Sequence, residues 1–600
     1  MRKSHFGYVL SLALLLSLGG GVGAQPPLTV ISGATLIDGR GGAPLRDAVI
    51  VIAGNRIQAV GPRSAVQAPA GATVIDAAGK FVVPGLFDTH VHYYHWAAAL
   101  MLHYGITSIL DIGNDPEWIL AVREGTAKGK VFGPRIFAVG PLIGAPPSGA
   151  PGCCGGISRV VVNNPAEATK VARALIGMGV DGLKLIQGTS AVPRAMRPDL
   201  IAVVSAEARQ AGISVWGDLS HRVVNAREAV SAGLNVIVHS QGLAMSTIKD
   251  PAKLAAFKAA PDFLNTGASP AVRGSAERWD LTDPADYDDL VRFLVERKVV
   301  IQPTSQYLWM GIHPLTAQHA EETRQLGLDP GLSYLPPSAR TSFTRRIDDG
   351  GRMEDLAPQL TQLRQGYEKF KQFHKKFFAA GGVLIPATDM VAQGLAGLGL
   401  HNELELLGVE EGLSPLQAIT AATKHSAEAV GKGDRLGTIE AGKLADLLIV
   451  KQDPLVDIRN LRNSLETVMQ DGKVIDRTFH PNFTSPYPRR QPDLGAAAPP
   501  YAMISPVVVP EGSASFTLVV TPLTTGLNLL PRVGEAMFAP GATVKFNGQD
   551  LTTEFVNERE LRAQVPANLV AKQGMYPITV RDRQPSLPET FPATIIVKFK

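Results

Sequence analysis

The feature that most restricts the fold is an alternation. From Phe81 to about Ser426, short apolar extended runs are separated by helical stretches, as a parallel βα architecture requires. The pattern predicts strands at 82–90, 106–112, 135–140, 182–187, 213–218, 235–239, 298–303 and 383–388. Eight such units suggest a closed (β/α)8 TIM barrel, an α/β fold with helices outside and the carboxyl ends of its strands gathered at one face. Pro165 to Met178 reads as a covering helix, since Ala168, Val171, Leu175 and Met178 fall near one side while Lys170 and Arg173 lie elsewhere. A doubly wound open sheet shares the alternation, but no Gly-x-Gly-x-x-Gly follows the first strand to favour a dinucleotide site.

The first strand runs into His90-Val91-His92. Successive strand side chains alternate faces, so His90 and His92 point the same way and can hold one ion between their imidazoles. On an isolated solvated strand this spacing would carry no chemistry. At the carboxyl end of a barrel strand it marks a ligand position.

The 600 residues exceed what one core usually serves, so several domains are expected. With 45% hydrophobic and 19% charged residues the chain is globular in composition, and its net charge of +4 gives no support to a nucleic-acid or membrane-surface role. Met1 to His5 is basic, Phe6 to Leu18 apolar, and small residues lead to Ala24. That pattern predicts a signal peptide at 1–24, too short and too soon broken by glycine for stable membrane insertion, and hence export to the periplasm or beyond. The two cysteines, Cys153 and Cys154, are adjacent. Neighbouring Cα atoms lie ~3.8 Å apart, below the usual disulfide range, and a Cys-rich zinc site needs more thiols.

Pro84-Gly85-Leu86-Phe87-Asp88-Thr89-His90-Val91-His92 resembles the first barrel strand of the metal-dependent amidohydrolase superfamily. A distant block, Leu436 to Val450 followed by Val468 to Val474 around Asp471-Gly472-Lys473, resembles the segment that completes that family's small β-domain. The resemblance covers residues 28 to 478, and the imidazolonepropionase-like and Xaa-Pro dipeptidase-like members are nearest. It implies a composite β-sandwich built from residues 25–80 and 431–480, flanking a barrel at 81–430. Ala48 to Ile52 and Arg56 to Val60, around Gly54-Asn55, read as a hairpin in its first part.

The same resemblance implies further metal ligands. Lys184 is flanked by apolar residues. A buried lysine readily becomes neutral and can take up carbon dioxide as an N-carboxylate bridging two metals, unless its ammonium reaches the solvated strand end. His239 occupies the family's sixth-strand position. Asp389 matches the eighth-strand aspartate, which binds metal and shuttles a proton; the other reading is a helix cap. Strand five departs from the pattern, with Asp218 where the family has histidine and His221 three residues beyond. Either Asp218 ligates or a reorganised loop delivers His221. If neither does, the site is mononuclear or inactive.

The implied function is hydrolysis of a C–N bond in a small-molecule amide, cyclic amide or dipeptide, using one or two divalent ions, zinc foremost, and a metal-activated water. Ring deamination on the same scaffold is the alternative, and a binding or scaffold protein the reading from another class. The long connections 241–284 and 304–365 are expected to shape substrate access, with Tyr307, Trp309, His313 and Tyr334 as pocket wall. Residues 481–510 are proline-rich and read as a linker. Residues 511–600 are β-rich, with a hairpin signal at Asn547-Gly548, and Val544 to Val580 resembles the IPT/TIG immunoglobulin-like module. A contact with a surface or partner, or a plain stabilising role, is expected of it.

Overall fold

A computed structural model of the chain describes residues 27–145, 159–186, 196–219, 224–260, 277–309, 311–336, 339–340, 360–389, 396–487, 502–522, 538, 540–557, 560–581 and 590–599. The predicted signal segment up to residue 24, Cys153, Cys154, His221 and residues 488–501 of the proline-rich stretch lie outside the described residues.

Gly85 divides the first apolar run between two sheets. Phe81–Pro84 pairs antiparallel with Leu447–Val450, whereas Leu86–Val91 pairs in parallel with Ile106–Asp111. A Cβ at Gly85 would lie 2.2 Å from Thr107 Oγ1, so only glycine lets the chain cross at this point. The single strand expected at 82–90 is therefore two, and 81–84 belongs to the flanking sheet rather than to the barrel.

That flanking sheet has eight strands and draws on both ends of the 28–474 region. Its order is Lys473–Val474, Leu465–Gln470, Leu447–Val450, Phe81–Pro84, Leu28–Leu36, Leu45–Ala53 and Arg56–Pro62, with Thr73–Asp76 against Leu28–Leu36. Ile31, Ile50, Val82, Leu447 and Ile449 pack beneath it. The hairpin at Gly54-Asn55 forms where its turn residues place it.

The central strands are all parallel, as βα repetition demands. Leu86–Val91, Ile106–Asp111 and Arg135–Ala138 form one sheet. Arg159–Val161, Leu142–Gly144, Gly182–Ile186, Ser214–Asp218, Val236–Val238, Val300–Gln302 and Val383–Leu384 form the other, in that order. The last strand returns to the first: Asp389 N donates to His90 O at 3.0 Å and Thr388 Oγ1 to Asp88 Oδ2 at 2.6 Å. Phe87, Leu110, Phe137, Trp216, Val238 and Ile385 fill the interior.

Two further departures from the expected strands have local reasons. Leu142–Gly144 is a strand that the sequence pattern does not mark, because glycines at 140 and 144 leave too short an apolar run. The strand predicted at 383–388 stops at Leu384, ahead of Pro386, which has no N–H to offer a ladder. The helix Pro165–Met178 has its predicted bounds. Asn164 Oδ1 accepts from Glu167 N at 3.0 Å, and Gly179 ends the helix at φ 84°.

The described strands between Ala502 and Lys598 form a four-stranded and a five-stranded sheet that enclose Leu518, Val520, Val544, Leu561, Ile578 and Ile595. Asn547 and Gly548 take φ of 48° and 86°, the left-handed pair a two-residue hairpin turn needs. This unit is fastened to the barrel's outside by Tyr487, whose OH accepts from Phe599 N, and by a 2.6 Å ion pair between Lys598 and Glu124. Among the described residues no helix is long and apolar enough to cross a membrane.

Candidate metal centre

At the carboxyl ends of the parallel strands, three imidazoles converge on one carboxylate. His90 Nε2 lies 3.2 Å and His92 Nε2 3.3 Å from Asp389 Oδ1, and His239 Nε2 is 3.7 Å from Asp389 Oδ2. All four side chains are buried. The strand alternation that places His90 and His92 on one side supplies the first pair. His239, directly after its strand, and Asp389, five residues beyond Leu384, both take a left-handed backbone, φ 59° and 51°. Such non-glycine conformations cost about 1–3 kcal/mol each and persist only where surrounding contacts enforce them.

Each imidazole is held from behind through its other nitrogen. His90 Nδ1 faces Gln302 Oε1 at 3.3 Å, His92 Nδ1 faces Gly113 O at 3.4 Å, and His239 Nδ1 faces Thr304 Oγ1 at 2.7 Å. Gln302 is itself oriented, since its Nε2 donates to Thr89 O and Thr89 Oγ1 at 2.9 and 2.7 Å. Thr304 spends its own hydroxyl hydrogen on Pro303 O at 2.8 Å, leaving its oxygen to accept from His239. The three Nδ1 atoms thus carry the protons and the three Nε2 atoms present lone pairs.

Burial, reinforced by the charge of Lys184, holds His90 well below the usual histidine pKa, and burial likewise lowers His239. The His90 and His239 imidazoles, held toward the neutral form, therefore meet the Asp389 carboxylate as acceptor against acceptor, a repulsive arrangement that a cation resolves. Two ligands each about 2.1 Å from a tetrahedral zinc ion stand about 3.4 Å apart, close to the spacings of His90 and His92 from Asp389 Oδ1. The residues fit a divalent metal, and among the described residues His90, His92 and Asp389 are the group compact enough to share one.

Lys184 and Asp218 lie on neighbouring parallel strands, and each leaves a polar atom without a hydrogen bond. Lys184 Nζ is buried, and burial lowers its pKa to about 8 against the pull of Asp218 and Asp389. Lys184 Nζ and Asp218 Oδ1 are thus buried polar atoms on adjoining strands that no hydrogen bond of the protein satisfies.

The expected pocket wall needs correction. Tyr307 does border the site, its ring 5.8 Å from that of His239. Trp309 is instead a core residue packed on Tyr367 and Phe370. His313 is buried beside His319, and Tyr334 donates to Trp96 O and stacks its edge on Phe483. Their aromatic character signalled packing rather than access. Gln302, Thr304 and Gly113 escaped the sequence reading, because nothing local marks an acceptor for a histidine up to 212 residues away; a polar glutamine ending the apolar run Val299 to Ile301 is the one hint.

Residues 363–475 match the model of the Amidohydrolase family. The matched stretch contains Asp389 but neither His90 nor His92. An adenine deaminase from Moorella thermoacetica is 34% identical over 92 residues, 15% of this chain and 14% of that protein. An imidazolonepropionase from Geobacillus kaustophilus is 31% identical over 138 residues, 22% of this chain and 31% of its own. The aligned stretches thus span less than a third of either curated relative. Among solved structures, a Bifidobacterium longum chain assigned as a prolidase superposes on 76% of this chain and 97% of its own with a TM-score of 0.52 at 23% identity, a likeness of fold.

Proposed function

We propose that this chain, which carries an amidohydrolase-family domain within that family's α/β barrel fold, is a metal-dependent hydrolase of carbon–nitrogen bonds in small molecules. The observation that carries the reading is the convergence of His90, His92 and His239 on Asp389, each imidazole fixed from behind through its Nδ1 so that its Nε2 faces the carboxylate. His90, His92 and Asp389 would hold one ion, with zinc the choice for two nitrogens and an oxygen. Lys184, as an N-carboxylate, would join Asp218 and His239 around a second. When bound, such an ion lowers the pKa of a water and polarises a carbonyl.

The chain's own groups supply the proton traffic. Asp389 accepts the proton of the attacking water at its carboxylate and returns it to the leaving nitrogen, base becoming acid. Gln302, Gly113 and Thr304 keep the imidazoles in one tautomer while this happens. The Tyr307 ring beside His239 forms part of the wall against which a substrate lies.

An amide, cyclic amide or dipeptide is the proposed substrate class, supported by the imidazolonepropionase relative and the prolidase-assigned structural neighbour. The adenine deaminase relative favours ring deamination as the second reading. Export is proposed from the leader-like residues 1–24, and an IPT/TIG-like role in surface or partner contact for the C-terminal two-sheet unit.

The test is turnover of acyl-proline dipeptides, lactams and aminated heterocycles by the zinc-loaded protein beside Asp389→Asn. A loss of 10²-fold or more in the variant is expected, the scale of a general acid–base group. Equal rates for both proteins would overturn the assignment, and turnover of the heterocycles alone would select deamination.

A further inference from the structure

His239 is held by two loops, and both are tied to one buried carboxylate. It is followed by Ser240, also left-handed at φ 50°, and its Nδ1 partner Thr304 is left-handed at φ 48°. Ser240 Oγ lies 2.8 Å from His374 Nε2 on the helix Leu360–Ala379. His374 Nδ1 sits 2.7 Å from Glu411 Oε2, at an angle too oblique for a full hydrogen bond. The other oxygen of Glu411 accepts from the hydroxyl of Ser305, the residue after Thr304. Ser305 N and Gln306 N then donate to the Glu403 carboxylate at 3.0 and 2.7 Å.

Ser240, Ser305, His374, Glu403 and Glu411 are all at most 1% exposed. A serine, a histidine and a carboxylate in this sequence of contacts have the order of a hydrolytic triad. Burial excludes that use: Ser240 Oγ faces His374 inside the protein and cannot meet a substrate. The cluster instead touches the two segments that must stay in place for His239 to present its Nε2. Glu411 is where they join, one oxygen toward Ser305 and the other toward His374.

We infer that Glu411, acting through His374–Ser240 on one side and Ser305–Thr304 on the other, is a positioning residue that sets the orientation of His239 and with it the geometry of the metal centre. This rests on the proposed metal site. Outer partners of metal-bound histidines carry 10–100-fold in metal affinity. With the clamp loosened, two consecutive left-handed residues lose the contacts that enforce them.

The experiment uses the full chain loaded with Co²⁺, whose visible spectrum reports ligand geometry, in parallel with calorimetric zinc titration. Ser240→Ala is the mild variant, since it removes one hydroxyl without cutting the backbone; Glu411→Gln removes the junction. The expected result is a changed cobalt spectrum and about 10-fold weaker zinc binding in both variants. Ile50→Ala, a core change beneath the flanking sheet, is expected to lower thermal stability with the spectrum unchanged. A wild-type spectrum and affinity in Ser240→Ala would overturn the inference even if Glu411→Gln failed to fold. Failure of the wild-type protein to bind either metal would overturn the metal site itself, which separates the two outcomes.

Discussion

Gln302→Leu isolates the support of one ligand without touching any ligand. Gln302 is fully buried and makes three contacts, accepting from His90 Nδ1 at 3.3 Å and donating to Thr89 O at 2.9 Å and Thr89 Oγ1 at 2.7 Å. Thr89 Oγ1 keeps its bond to Pro386 O at 2.9 Å. The variant therefore leaves two buried groups unpaired, the His90 Nδ1–H and the Thr89 carbonyl. Each costs about 1–3 kcal/mol, or about 2–6 kcal/mol for the two, less whatever the added apolar packing restores. Freed from its acceptor, His90 no longer favours the tautomer that offers Nε2, and zinc affinity is expected to fall 10–100-fold, about 1.4–2.7 kcal/mol. Urea unfolding of the metal-free protein reads the first effect, and calorimetric zinc titration of the folded variant reads the second. A variant that is destabilised as expected yet binds zinc with unchanged affinity would refute the claim that Gln302 orients a ligand.

Three further outcomes are expected. Lys184→Met replaces an orphaned buried amine by an apolar chain of similar length, so bound metal per chain is expected to drop by about one equivalent if the lysine supports a second ion, with little change in stability; unchanged stoichiometry by elemental mass spectrometry would count against that ion. Burial, helped by Glu411, raises Glu403 from 4.5 to about 8; a raised acid stabilises the fold below its unfolded value and loses that contribution as pH rises through the folded one, by at most about 1.4 kcal/mol per pH unit. Wild-type stability is therefore expected to decline between pH 5 and 8 relative to Glu403→Gln, and parallel pH profiles for the two would contradict it. Gly85→Ala would drive a Cβ to within 2.2 Å of Thr107 Oγ1; it should destabilise by about 1–3 kcal/mol, with partial rescue by Thr107→Ala in a thermal melt, and no rescue would show that the crossing does not depend on that contact.

What the sequence made legible follows from period and spacing. Alternation in a strand put His90 and His92 on one side, while apolar neighbours on both sides marked Lys184, and runs ending in polar residues marked His239 and Asp389, once the resemblance supplied their order. The helix Pro165–Met178 was readable from its ends because proline, asparagine and glycine act locally. What stayed hidden depends on contacts between distant segments. Gly85 reads as a turn residue until Thr107 is seen against it. Trp309 and Tyr334 look like pocket aromatics until the helix Leu360–Ala379 and Phe483 cover them. Ser240, His374 and Glu411 lie on three separate elements and share no motif, so only the folded chain brings them together. Asp218 ends the strand next to that of Lys184, while His221 falls outside the described residues.

The central claim is that side chains from residues 90, 92 and 389 share one cation. Anomalous diffraction at the zinc edge from crystals of the zinc-loaded protein tests it most directly. The account expects a peak within bonding distance of His90 Nε2, His92 Nε2 and the Asp389 carboxylate, about 2.0–2.2 Å from each. A zinc-replete crystal with no peak among these three groups, or with the ion bound elsewhere, would contradict it.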